Sequence, residues 1–376
     1  MYKIMTPGPT QVRENVRAAR SLETTNPDLD PQFYDFYKET CELIGKLLHT
    51  VNPVYILSGE GILGLEAACA SLTEQGDRVL VIDNGIFGRG FEDFVKIYGG
   101  MPVRYTADYE HTLDVEALEV YLKKDHDFKY ATLVHCDTPS GVINDVSAIC
   151  PLLKQYGIMT VVDSVAGMFG EELYVDKDKI DIVCGGSQKA LSAPVGLTFV
   201  TVSQDALHAM EDRTTPIASF YANLLHFRDY YKNQWFPYTM PISDIYGLRA
   251  ALDNVDGEPD IAERHGKIAR AARKAVTSAG LSLYLRSGYG NTVTVIRVPE
   301  GLKDTDILEG MRREYGIMIA GCFDILSGKV IRIGHMGENA NAEDMAEVFD
   351  ALGGTLNKLG YNLKCDMKEI FLSELE

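Results

Sequence analysis

Two side chains in this sequence are spaced to do covalent chemistry on a flat heterocycle. Asp163 ends the run Thr160-Val161-Val162-Asp163, and Lys189 ends the run Ile180-Asp181-Ile182-Val183-Cys184-Gly185-Gly186-Ser187-Gln188-Lys189. Short apolar runs of this kind read as buried strands of a parallel sheet. Ligands of open α/β sheets bind outside the carboxyl ends of the strands. A carboxylate and an amine, 26 residues apart (189 minus 163), are therefore delivered to one edge of one sheet. The pair suits pyridoxal phosphate: a lysine forms the Schiff base, and an aspartate keeps the pyridinium nitrogen protonated. Singly, neither residue says this, because an Asp after a strand is often a turn or helix cap and most lysines are solvated. Their context adds weight. Gly185-Gly186-Ser187-Gln188 offers small and polar groups that could hold a phosphate. Ala190-Leu191-Ser192-Ala193-Pro194 is largely apolar and would desolvate the amine, favouring imine formation.

A second motif points elsewhere. Gly59-Glu60-Gly61-Ile62-Leu63-Gly64 follows one strand and opens a helix, and Asp83 ends the next strand 19 residues after Gly64. Read alone, this is a dinucleotide-binding fingerprint and suggests an NAD-dependent dehydrogenase. The physics is less specific: glycines let the backbone approach an anion, and a helix N-terminus supplies free N–H groups to any phosphate. A tight turn without ligand is equally compatible. Glu60 sits badly beside a dianion, so the amides of Gly61 and Ile62 would have to do the binding.

Other residues fall at the same edge. Phe87 follows the strand ending in Asp83 and could stack on a flat ring, or pack in the core. Thr138, beyond the strand ending in His135, could hydrogen-bond a cofactor oxygen; His135 itself reads as a core or supporting histidine. Arg332 stands inside the apolar run Val330-Ile331-Arg332-Ile333-Gly334. A buried arginine requires a partner, either a substrate carboxylate gripped by its fork or an internal salt bridge.

The elements that must position these residues are legible in outline. Strands are expected at Val54–Leu57, Arg78–Ile82, Met101–Tyr105, Tyr130–His135, Thr160–Val162, Ile180–Cys184 and Leu197–Val202, with helices such as 63–72 and 146–156 between them. This alternation marks a doubly wound α/β domain. A helix is expected over 33–49. After about residue 255 the pattern becomes a long helix over 261–279, strands at 292–297 and 329–333, and helices at 304–315 and 341–359, a smaller α+β domain. The proline-rich residues 1–32 read as an irregular arm. The expected division is an arm over 1–32, a large α/β domain over 33–255 and a small C-terminal α+β domain over 256–376.

Composition narrows the function. The chain has 376 residues, 46% of them hydrophobic, and a net charge of −18. So acidic a chain repels phosphate backbones and anionic membranes, so nucleic-acid and membrane roles are not expected. The seven cysteines show no C-x-x-C pair, so neither a metal site nor a disulfide framework is indicated. A reducing cytoplasm is the expected setting.

With these residues in view, the chain resembles the class V aminotransferases of the fold-type I pyridoxal-phosphate enzymes, closest to the alanine–glyoxylate / serine–pyruvate branch. The carrying segments are Thr6-Pro7-Gly8-Pro9, Ser58-Gly59-Glu60-Gly61, Asn84-Gly85-Ile86-Phe87-Gly88, Val162-Asp163-Ser164-Val165-Ala166, Gly186-Ser187-Gln188-Lys189-Ala190-Leu191 and Ile331-Arg332-Ile333-Gly334, in family order. The resemblance implies an α/β fold with a mostly parallel sheet and helices on both faces, pyridoxal 5′-phosphate as cofactor, and a homodimer with shared active sites. It implies catalytic roles for Lys189 and Asp163. Phe87 would stack on the ring, Val165 would pack beneath it, and Thr138 would bond its hydroxyl. Gly61, Ile62 and Gln188 would hold the phosphate with Thr239 of a second subunit. Arg332 would bind the substrate carboxylate, and Gly8 would lie near the substrate. Glu60 and Ile62 depart from the small and polar residues usual in the phosphate loop, and Phe236 stands where a phosphate-binding Tyr is expected.

The reaction so implied is a ping-pong transfer of an amino group from a small amino acid (alanine or serine type) to a small 2-oxo acid (glyoxylate or pyruvate type). Two rivals share the fold. Cys322, ten residues before Arg332, lies where cysteine desulfurases carry their persulfide, but Gln188 replaces the His that those enzymes place before the lysine. A 2-aminoethylphosphonate transaminase would need additional cations.

Overall fold

The computed structural model describes residues 2–376. Seven strands form one sheet: β1 (Val54–Ser58), β2 (Arg78–Asp83), β3 (Met101–Thr106), β4 (Tyr130–Val134), β5 (Met159–Asp163), β6 (Ile182–Gly186) and β7 (Leu197–Val202). Their order across the sheet is β1-β7-β6-β5-β4-β2-β3. β7 runs antiparallel to both neighbours, and every other pair is parallel. The chain is thus an α/β protein with a mostly parallel sheet.

β4, β6 and β7 are buried along their whole length and β5 along all but its first residue, as a sheet covered on both faces requires. Helix α1 (Pro31–Leu47) starts at the Asp30 cap, whose carboxylate accepts from Gln32 N. Helices α2 (Gly61–Leu72) and α3 (Ile86–Ile97) follow β1 and β2 directly, so both N-termini lie at the carboxyl edge of the sheet. Helix α4 (Val146–Gln155) precedes β5.

β6 starts at Ile182, two residues later than the sequence pattern suggests. The cause is Asp181, whose buried carboxylate accepts from Thr160 N (3.0 Å), Lys154 Nζ (2.9 Å) and Ser203 Oγ (2.9 Å). These bonds fix the entry of the strand, which then continues to Gly186.

Beyond helix α5 (Ile242–Asp256) come helix α6 (Ile261–Ser278) and the antiparallel pair β8 (Val293–Arg297) and β9 (Val330–Gly334), in which Val295 faces Arg332. They share a second hydrophobic cluster with helices α7 (Asp304–Tyr315) and α8 (Ala342–Lys358).

The N-terminal segment is more ordered than its prolines suggest. Lys3–Ile4 pairs in parallel with Ile317–Met318, and Met5 is buried in the second cluster. Glu14–Ala19 is a short helix whose Val16 is buried in the first cluster. The expectation of an irregular, unpacked arm is corrected accordingly: its apolar residues find partners at both clusters. No helix among the described residues is long and apolar enough to cross a membrane.

Candidate active site

β5 and β6 lie side by side in parallel, with Asp163 opposite Cys184. Asp163 is the last residue of β5, and Lys189 lies three residues past the end of β6. Both reach a cavity of about 480 Å³, open mouth included, at the carboxyl edge of the sheet. Eight of the residues singled out from sequence line it: Gly61, Ile62, Phe87, Thr138, Asp163, Val165, Gln188 and Lys189. Glu60, Leu65, Cys136 and Ala166 complete the wall.

Desolvation dominates the electrostatics. It brings the Lys189 amine down to about 8, against a smaller opposing pull from the Asp163 carboxylate. The same burial raises the Asp163 carboxyl to about 7, although it accepts a 2.9 Å hydrogen bond from Val165 N. Burial thus pushes both groups toward their neutral forms, a perturbation common at reactive sites. Lys189 Nζ donates to the Pro7 carbonyl at 2.7 Å, so the N-terminal segment closes one side of the site. Gly8 beside it has φ +100, and a Cβ there would stand 2.5 Å from Nζ. Gly61 makes a comparable close approach: its Cβ would meet Val165 Cγ2 at 2.7 Å.

Arg332 is buried in β9 and finds no salt bridge among the described residues. Its Nε donates to Gly321 O (2.7 Å) and its Nη1 to Thr138 O (3.2 Å), and its guanidinium lies 5.9 Å from the Phe323 ring. Two carbonyls orient the fork without pairing its charge, on which the Asp137 carboxylate acts only at longer range. Thr138 is buried beside it. His135 is a supporting residue: buried, bonded through Nδ1 to Ser164 Oγ at 2.9 Å, and kept neutral by desolvation with its pKa at about 4.

Arg332 does not line the cavity and reaches it only through Thr138. Thr239, expected from a second subunit, is exposed on this chain, lies outside its cavity, and donates to Asp28 Oδ2 at 3.1 Å. Phe236 is buried in an aromatic stack, 4.7 Å from Tyr34 and 5.5 Å from Tyr230 between ring centroids.

Sequence reasoning passed over Asp137 and Phe323. Asp137 is fully buried, with its pKa raised by desolvation. It accepts from Phe87 N (3.1 Å) and Ser140 Oγ (2.7 Å), and so ties the start of α3 to the Thr138 turn. The signal for it was available: like Asp163, it follows a buried strand at the carboxyl edge. Phe323 meets the Phe87 ring edge-on at 6.1 Å. Asp83, which suggested a ribose contact, is instead occupied internally by the Tyr109 and Thr106 hydroxyls.

The sequence profile of the family described as aminotransferase class-V matches residues 10–351. A pyridoxamine–pyruvate transaminase of Mesorhizobium japonicum is 34% identical over 345 residues, covering 89% of this chain and 87% of that protein. An alanine–glyoxylate aminotransferase of Callithrix jacchus is 31% identical, covering 93% of this chain and 86% of that one. The crystal structure of pyridoxamine–pyruvate aminotransferase from Mesorhizobium loti superposes with a TM-score of 0.95 at 31% identity, over 99% of this chain and 96% of that one. The fold is therefore that of the fold-type I pyridoxal-phosphate aminotransferases, and the chain belongs to the class V aminotransferases.

Proposed function

We propose that the protein carries out a ping-pong transamination on a pyridoxal-type ring held between Lys189 and Asp163. It would move an amino group between a small amino donor and a small 2-oxo acid of the glyoxylate or pyruvate type. The observation that carries this reading is the shared cavity: an amine with its pKa brought down to about 8 and a buried carboxylate stand at the ends of adjacent strands. Relatives named for alanine–glyoxylate, serine–glyoxylate and pyridoxamine–pyruvate transfer support small substrates of this kind.

The family is pyridoxal-phosphate-dependent, and the residues present suit the ring half of that group. Phe87 and Val165 offer it apolar surfaces, Thr138 a hydroxyl and Asp163 a carboxylate for the pyridine nitrogen. Such a ring, when bound, supplies an electron sink for the pair left on the substrate carbon. The chain supplies the rest. Lys189, whose desolvated position favours the neutral amine, would hold the aldehyde end of the ring and, when free, would take the proton from the substrate α-carbon. Asp163 would hold a proton at the ring nitrogen. Arg332, already oriented by Thr138 and Gly321, offers its charge to the substrate carboxylate.

The exposed aromatic side chains Phe220, Tyr221 and Trp235 support a homodimer, across which Thr239 would be contributed. Seven unpaired cysteines support a reducing, cytoplasmic setting.

The test is spectroscopic. The wild-type protein mixed with a pyridoxal-type aldehyde should develop a visible absorbance band, and Lys189→Ala should not. The same band in Lys189→Ala would refute the covalent role. Asp163→Ala should keep the band and lose most turnover.

A further inference from the structure

The phosphate half of the family's cofactor fares differently from the ring half. The end of the cavity that would receive it lies at the start of α2, where the amides of Gly61 and Ile62 are free to bind an anion. The side chains around those amides oppose one. Glu60, immediately before the helix, lines the cavity with a carboxylate and makes no capping bond to its own helix. Its bond from within the chain is a long one, 3.3 Å from Gln188 Nε2. The charge of Glu60 already acts on both Asp163 and Lys189. Ile62 adds an exposed apolar side chain. Among the described residues, Lys189 is the only cation lining the cavity, and its amine is committed to the aldehyde end. Phe236 offers no hydroxyl and is locked in its aromatic stack.

Gln188 sharpens the point. Its Nε2 faces Glu60, which leaves Oε1 buried without a hydrogen-bond partner. A buried acceptor of this kind is satisfied by a ligand that donates a proton. A phosphate dianion has no proton to give and would meet a carboxylate in a partly desolvated pocket. A hydroxymethyl group donates one hydrogen bond, accepts another, and carries no charge.

We infer that this site takes the pyridoxal-type ring without its phosphate, the free 5′-hydroxymethyl group being held by the Glu60 carboxylate and the Gln188 side chain. The ring is then a dissociable substrate, and one half-reaction of the ping-pong cycle proposed above becomes the complete reaction. In its amine form it is itself the amino donor to a 2-oxo acid. The amino nitrogen leaves C4′ of the ring for the carbonyl carbon of the acid. One water is released when nitrogen bonds that carbon, and one is consumed when C4′ becomes the aldehyde. C4′ loses a proton and is oxidised from amine to aldehyde, while the acid's carbon gains a proton and is reduced from ketone to amine, so no outside oxidant is needed. This inference rests on the transaminase reading above.

The test compares pyridoxal with pyridoxal 5′-phosphate, and pyridoxamine with its phosphate, on the purified full-length protein. Titration followed by absorbance and calorimetry should give the unphosphorylated aldehyde at least about tenfold tighter binding. Pyridoxamine with pyruvate should yield pyridoxal and alanine. Glu60→Gln, which removes the charge at constant shape, should narrow the preference, and Glu60→Ser should reverse it. A wild-type protein that keeps stoichiometric phosphorylated ring through dialysis, and binds it more tightly than pyridoxal, overturns the inference; a Lys189-dependent band with that ring would leave the transaminase reading standing. Unchanged preference in both Glu60 variants overturns the assignment to Glu60. If neither aldehyde gives a Lys189-dependent band, the transaminase reading fails and this inference with it.

Discussion

The Lys189 ammonium donates a 2.7 Å hydrogen bond to the carbonyl oxygen of Pro7, so the group expected to attack the aldehyde is held by the backbone of the N-terminal segment. That segment is anchored on its far side, where Lys3–Ile4 pairs with Ile317–Met318 and Met5 is buried. The reactive amine and the second hydrophobic cluster are thereby linked through a few residues of main chain. Gly8 is the tight point, with φ +100 and no room for a Cβ beside Nζ. Gly8→Ala should therefore displace either the amine or the segment. A left-handed conformation alone costs a non-glycine residue about 1–2 kcal/mol. Aldehyde capture by Lys189 should slow by about tenfold or more, while the cooperative unfolding of the large core is little changed. Stopped-flow absorbance beside thermal denaturation checks this; capture at the wild-type rate would show that Pro7 does not control the amine.

A second prediction concerns pH. Burial brings the Lys189 amine from 10.5 to about 8, so its neutral form predominates above about 8. The rate of aldehyde capture should rise with pH and level off above that value. The Asp163 carboxylate pulls in the opposite direction, raising the affinity of the amine for its proton. Asp163→Asn removes that pull, so the midpoint should move to lower pH. A midpoint that stays near 10.5, or one that rises in the variant, would contradict the assignment.

Arg332 yields a third. Its fork is aimed by two carbonyls, Gly321 and Thr138, and both bonds depend on the fixed angles of a guanidinium. A lysine carries the charge but cannot reproduce that geometry. Arg332→Lys should therefore weaken the 2-oxo acid while leaving ring binding intact. Loss of a charged hydrogen bond costs roughly 1.5–3 kcal/mol, so KM for pyruvate should rise by about tenfold to a hundredfold. A normal KM with a weakened ring would move Arg332 from substrate binding to support of Thr138.

How much of this was written in the sequence depends on which atoms carry the information. Asp163 and Lys189 were legible because each ends a run of buried side chains, and burial follows from side-chain type. The reversed direction of β7 was not, since Leu197–Val202 is apolar in either orientation and hydrogen-bond geometry decides. The role of Pro7 was invisible because it acts through a carbonyl that every residue possesses. Arg332 was recognised as a buried charge, yet its partners are also main-chain carbonyls, and a search for an opposite charge does not find them. Glu60 is the converse case. Its mismatch with a dianion could be read from residue type alone, and the structure adds the unpaired Gln188 Oε1 beside it.

Cys322 permits a test between chemistries on the same fold. A desulfurase needs an accessible thiolate to take sulfur from the substrate, and thiolates form where nearby cations lower the pKa. Here the thiol is half-buried, its Sγ faces the Pro139 carbonyl at 3.8 Å, and burial pushes its pKa up despite the opposing charge of Arg332. A protonated thiol against a carbonyl is a packing contact. Cys322→Ala should accordingly keep transamination within about twofold, the small effect typical of substitutions away from special features. Neither the variant nor the wild type should release sulfide from cysteine. Sulfide production that disappears in Cys322→Ala would instead make the loop before β9 a sulfur-transfer element and reopen the choice between the two reactions.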